Sequence, residues 1–75
     1  MVHFLKCSTK YFYAVKNGVK KFEVRKNDRN FNVEDVLVLE EYIDGKYTGA
    51  KCERYVNYIL NDPEYCKEGY VILGF

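Results

Sequence analysis

Tryptophan is absent from this 75-residue chain, and proline and histidine each occur once. No apolar run is long enough to span a membrane, and no signal-peptide pattern is present, so a cytoplasmic protein without membrane contacts is expected. Cysteine is sparse and odd in number. Cys7, Cys52 and Cys66 show no C-x-x-C spacing, which argues against a disulfide framework or a zinc site and for buried thiols in a reducing compartment. His3 has no Cys, His or Asp at ligand spacing, so it reads as structural, and neither a metal nor another cofactor is expected. A charge excess is missing too: 12 Lys and Arg against 11 Asp and Glu leave +1, which gives no bulk polyelectrolyte argument for nucleic acid.

What the chain does have is apolar surface. Hydrophobic residues make up 48% of it, with eight tyrosines and five phenylalanines. A chain of this length forms one domain, residues 1–75, and buries only about 60% of its unfolded surface, so it needs a rich core. Most of the tyrosines read as the aromatic filling of that core. Tyr11 and Tyr13 are the candidates for exposure, because they lie off the Phe12–Val15 helix face.

Val2 to Cys7 reads as a strand. Ser8 or Thr9 then caps a helix over Thr9–Asn17, with Phe12 and Val15 three apart on its core face. Gly18 stops that helix, being free to take the left-handed conformation. A second strand runs to about Arg25, followed by a polar loop over Lys26–Asn32. Val36 to Tyr42 suits a strand buried on both faces. Asp44-Gly45 is a two-residue hairpin turn, and a return strand runs from Tyr47 to about Leu60 with a bulge near Gly49. Asp62-Pro63-Glu64 opens a short helical turn, and Tyr70 to Phe75 closes the chain as a strand. So short a sheet exposes two edges unless it curls, which predicts an α+β, mostly β domain: a small mixed β-barrel with one principal helix.

The densest chemistry lies in Gly18-Val19-Lys20-Lys21-Phe22-Glu23-Val24-Arg25, a G-x-K-x-x-E-x-R pattern. Its second half alternates with the period of a strand. Glu23 and Arg25 share one face and Phe22 and Val24 the other, which displays a carboxylate between two cations beside an apolar core. Such a set either holds a polar ligand or forms a surface ion-pair ladder, the latter stabilising by only ~0–1 kcal/mol. Charge is also unevenly spread. Lys16, Lys20, Lys21, Arg25, Lys26 and Arg29 are half of the 12 Lys and Arg residues, while Glu34, Asp35, Glu40, Glu41 and Asp44 form an acidic block behind them.

Together with Asn27-Asp28-Arg29, Phe31-x-x-x-Asp35 and the ending Glu68-Gly69-Tyr70-Val71-Ile72-Leu73, this motif resembles the ASCH domain. The closest likeness is to its small bacterial and phage branch, formerly a domain of unknown function. Phe31 to Leu39 is similar to the family's F-x-x-G-D-x-L-x-L block, with Glu34 where the family has glycine. The resemblance implies a PUA-like β-barrel and a cleft between the first helix and the barrel, lined by Lys20, Glu23 and Arg25. Superfamily members commonly bind RNA or modified nucleotides. Some ASCH proteins are amidohydrolases of acetylated cytidine. In those, a threonine proposed as nucleophile stands at the position of Glu23 and a lysine at that of Lys20, and a further acid comes from a longer C-terminal segment.

Three functions are therefore weighed. The first is an RNA- or nucleotide-binding module using Lys20, Lys21, Glu23, Arg25, Lys26, Arg29 and Tyr11. Arg suits phosphate as a planar fork and Lys as a point charge, while Glu23 would accept from a base amino group or ribose hydroxyl or orient Arg25. The second is a small amidohydrolase acting on an acylated or modified nucleoside, with Lys20 and Glu23 as catalytic residues. Glu23 counts against it, because a carboxylate would have to activate water instead of forming an acyl intermediate. The third is a phage or mobile-element protein that binds a protein partner, which a contiguous exposed apolar patch would favour.

Overall fold

The computed structural model describes residues 1–75. Seven elements follow in order: β1 (Val2–Cys7), α1 (Thr9–Lys16), β2 (Phe22–Lys26), β3 (Val36–Ile43), β4 (Lys46–Tyr55), β5 (Tyr58–Leu60) and β6 (Tyr70–Gly74). The class is α+β, mostly β, as the patterning predicts. The strands form two three-stranded sheets, β1-β3-β4 and β2-β6-β5. In the first, β1 runs parallel to β3 and β4 antiparallel to it; the second is antiparallel throughout.

The expected barrel, closed or nearly closed, does not close, and side chains explain why. On one side, β1 and β2 share no ladder. The Val36 amide donates to the Met1 carbonyl, so in this parallel pair the odd residues of β1 face β3 and the even ones face away. The outward carbonyls of Phe4 and Lys6 accept instead from Arg29 Nη1 at 2.8 Å and Arg25 Nη2 at 2.7 Å. On the other side, the expected single return strand breaks at Val56–Asn57. The Val56 amide still donates to Asp35, at the end of the first sheet, whereas the Asn57 amide donates to Gly74 in the second. The chain thus changes sheet at one corner, and β5 begins there.

The core lies between the sheets and under α1. Leu5, Cys7, Phe12, Val15, Phe31, Leu37, Leu39, Val56, Val71 and Leu73 form one buried cluster. None of the eight tyrosines belongs to it, contrary to their expected role as filling. Tyr11, Tyr13, Tyr47, Tyr55, Tyr58 and Tyr65 are exposed, and Tyr42 and Tyr70 half-buried. With Leu, Val and Phe filling the interior, the tyrosines keep their hydroxyls in water.

Local turn chemistry decides the connections. Asp44 and Gly45 both take positive φ, 51° and 78°, as a two-residue hairpin of this type requires. The register shift between Glu40 and Tyr42 falls opposite Thr48–Ala50, with Gly49 at φ 93°, so the bulge expected near Gly49 is present. Asp62-Pro63-Glu64 opens the expected short helical turn: the Asp62 carboxylate accepts the Glu64 amide, and the Asp62 carbonyl accepts those of Tyr65 and Cys66. Neither hydroxyl caps α1 either. Ser8 makes no side-chain cap bond, and Thr9 Oγ1 is buried without a partner. The other end of α1 is held from a distance, by Arg54 of β4 donating to the Val15 carbonyl at 2.9 Å. No helix is long and apolar enough to cross a membrane.

Candidate functional site

The helix exit sets the position of Lys20. Gly18, at φ 78°, turns the chain back, and the amides of Val19 and Lys20 both donate to the Ala14 carbonyl. The Lys20 backbone is thus tied to the end of α1. Its Nζ reaches forward to the Phe22 carbonyl at 2.8 Å and to Glu23 Oε1 at 3.0 Å. From the other side Arg25 Nε donates to Glu23 Oε2 at 3.0 Å, with Nη2 at 2.8 Å from the same oxygen. Both carboxylate oxygens are therefore held by cations.

The strand phase is the reverse of the expected display. Glu23 points inward and is only 3% exposed, while Phe22 and Val24 stand outside at 44% and 51%. The same inversion explains the depth of the site. Burying Glu23 is tolerable because two charged donors meet it, and the buried Cys7 feels its charge. The Cys7 thiol is pushed up to about 11, by burial first and by the Glu23 charge second.

Tyr11, Lys20, Phe22, Glu23, Val24 and Arg25 line one open cleft of about 400 Å³ between α1 and β2. Four of the seven residues singled out in the sequence, Tyr11, Lys20, Glu23 and Arg25, thus converge. Lys20 Nζ lies 5.3 Å from the Tyr11 ring centroid and 4.7 Å from that of Phe22, so cation–π contacts hold it between the two aromatic walls. Lys26 and Arg29 line a smaller hollow of about 140 Å³ with Leu5, Asp28 and Phe31, and Arg25 belongs to both. Lys21 lines neither and stands exposed beside them. Phe22 and Val24 are the cleft residues that the sequence reading assigns elsewhere. Their alternation gives the period but not the phase, and hydropathy alone turns them inward.

A second buried polar set braces the far end of β1. Asp35 accepts from the Asn32 amide at 2.9 Å and from the Met1 ammonium at 3.0 Å, and its other carboxylate contact is His3 Nε2 at 2.8 Å. The His3 bond, followed by the Asn32 amide, lowers the Asp35 carboxyl to about 2. His3 is thus structural, packed edge-on against Phe31. No group of three or more His, Cys, Asp or Glu side chains converges as a metal site would require.

Fold and cleft together define a small α+β domain with an ion-paired pocket beside its one helix. The chain belongs to the family described as "Domain of unknown function (DUF3850)", which it matches over residues 2–75. It is 38% identical over 72 residues, 96% of its length, to the "Uncharacterized 12.9 kDa protein in GpA 3'region" of Escherichia phage P2, and it spans 65% of that relative's length.

Proposed function

We propose that this is an ASCH-type domain that binds single-stranded RNA or a modified nucleotide in the Lys20–Glu23–Arg25 cleft. The observation that carries the reading is the set of donors left over once Glu23 is satisfied. Lys20 spends two of its three N–H groups inside the chain, and Arg25 Nη1 makes no internal bond. Two cations against one carboxylate leave the cleft one formal positive charge. Exposed aromatic walls, Tyr11 at 50% and Phe22 at 44%, stand beside those donors. Cationic N–H groups next to flat apolar walls suit a phosphate joined to a base. The two buried carboxylates of the acidic block are engaged elsewhere: Asp35 is committed to His3, and Glu41 accepts from Thr48 at 2.8 Å.

The geometry counts against the hydrolase. A general base must reach the water it deprotonates, and both oxygens of Glu23 are engaged by donors. Incubation with acetylcytidine is expected to release no cytidine above buffer. Binding is tested by titrating a cytidine nucleotide and a labelled RNA octamer against wild type, Lys20→Ala and Arg25→Ala. Both substitutions should weaken both ligands. Undiminished binding in the two variants would place the ligand elsewhere.

One observation favours a protein partner as the second reading. Register places Val2, Val36 and Tyr55 in one row on the outer face of the β1-β3-β4 sheet, and Phe4, the covered Val38 and the exposed Glu53 in the next. Val2, Phe4 and Tyr55 are 51%, 57% and 71% exposed. That surface lies apart from the cleft. Phe4→Lys would abolish capture of such a partner and leave nucleotide binding unchanged.

A further inference from the structure

The outward face of the β2-β6-β5 sheet carries a row with an empty middle. Phe22 pairs with Gly74, and Gly74 pairs on its other side with Tyr58. Residues directly opposite in an antiparallel ladder share a face. Glu23, Leu73 and Ile59 of these strands turn inward, so Phe22, Gly74 and Tyr58 turn outward. The two rings are 44% and 65% exposed, and the residue between them in the row has no side chain of its own.

Glycine is not demanded at that position by the backbone. Gly74 is not among the glycines with positive φ, and an added Cβ would meet only ordinary contacts at 3.6 Å, on Asn57 and Tyr58. Inside a strand glycine is unfavourable, and it often marks a place where another group approaches closely. Strands lie about 4.8 Å apart, which sets the backbones under the two rings about 10 Å apart. A flat ring with one face on each neighbour needs about 7–8 Å between them, less than the separation of those two backbones.

We propose that this slot over Gly74, between Phe22 and Tyr58, takes one base of a single-stranded RNA whose adjacent nucleotide occupies the Lys20–Glu23–Arg25 cleft. The inference rests on the nucleotide reading of that cleft. Phe22 is a wall of both sites, so the cleft runs into the slot around a single side chain. Charge favours the same occupant. Lys20 lies 4.7 Å from the Phe22 ring centroid, and Lys21 precedes Phe22. The acids of the connecting loop, Asp62, Glu64 and Glu68, follow Leu60 and precede Tyr70, at the opposite end of the sheet. A second copy of the chain fits less well. A stable dimer buries about 800 Å² per partner, and although Val24 on this face is 51% exposed, Leu60, Tyr70 and Ile72 are only partly so.

Gly74→Val tests this directly, because it fills the slot with a residue that favours strands. Tyr58→Ala removes one wall instead. Circular dichroism and thermal melting confirm that each variant is folded. Fluorescence anisotropy is read with a labelled RNA octamer and, separately, with cytidine monophosphate as a probe of the cleft alone. Both variants should bind the octamer about 5- to 150-fold more weakly, the equivalent of ~1–3 kcal/mol for one stacked base, and the mononucleotide unchanged. Octamer affinity equal to wild type in both variants, with Arg25→Ala still weakening both ligands, overturns the slot and leaves the cleft standing. Absence of binding by either ligand overturns the cleft and the slot with it. Sedimentation of the wild type as a dimer that Gly74→Val dissociates assigns the face to a second copy and overturns the proposal.

Discussion

Glu23 is the side chain whose loss the neighbours can least absorb. Its carboxylate is 5% exposed, while the Lys20 and Arg25 side chains keep 18% and 24% of their surface in contact with solvent. Glu23→Ala strands two cations face to face, and partial hydration limits the damage to about 1–3 kcal/mol. In a domain of this size that lowers the melting temperature by roughly 5–20 °C, and Glu23→Gln, which preserves shape, should lose less. An unchanged melt for Glu23→Ala would reduce the ion pairs to surface decoration. Asp35 supplies a pH signature of its own. Its folded carboxyl, near 2, lies below the ordinary 3.8, so the unfolded chain binds the proton more readily. The stabilisation it brings is complete above its unfolded value and drains away as pH falls from about 4 toward 2. Urea midpoints across that window should fall for wild type, whereas Asp35→Asn should be weaker at pH 5 but flatter below it. Cys7 and Cys52 are both raised by burial and remain thiols at neutral pH, which makes them slow to alkylate until the chain unfolds.

At the scale of elements, one turn carries strain that a single substitution relieves. Glu34 sits at φ 79°, in the left-handed region, and its amide is fixed to the Val56 carbonyl at 2.7 Å. The turn therefore keeps a conformation that suits glycine, with a glutamate in it. Non-glycine residues there cost on the order of 1–3 kcal/mol, offset in part by the greater unfolded-state freedom of glycine. Glu34→Gly should raise the melting temperature by a few degrees, and a decrease would show that the Glu34 side chain contributes a stabilising contact. Turns of this kind are legible from sequence because their chemistry is local: Asp44-Gly45, Gly18 and the bulge at Gly49 all fall where residue type puts them. Strand phase is different. In β2 the alternation of Phe22 and Val24 with Glu23 and Arg25 is plain, yet which side faces in depends on whether donors are waiting for the carboxylate. Those donors come from the helix exit and from Arg25 itself, and hydropathy does not register them. The tyrosines mislead for a related reason, since their rings are apolar enough for a core while their hydroxyls are content in water.

Across the whole molecule, the cleft was legible because Lys20, Glu23 and Arg25 lie within six positions, whereas barrel closure was not. Closure turns on bonds from Arg25 and Arg29 to carbonyls 19 and 25 residues away, which no local pattern announces. These bonds also decide how a basic surface should be tested. Arg29→Glu would remove a charge and unfasten β1 at once, so a loss of binding could not be assigned. Lys21 and Lys26 are exposed and make no hydrogen bond or ion pair through their side chains, so reversing them alters charge alone. Each phosphate neutralised on a single strand contributes about −0.7 to the slope of log K against log salt. Three or four contacts from this surface predict a slope near −2 to −3, steeper than a protein of net charge +1 would produce through bulk attraction. Lys21→Glu with Lys26→Glu should flatten that slope by about 1.4, two contacts' worth. It should do so equally for different RNA sequences, because phosphate contacts position a strand without reading it. Anisotropy titrations over a salt series decide the matter. A slope that the double reversal leaves unchanged would mean that the cations along β2 do not meet phosphate, and would move the interface to the apolar face around Phe4.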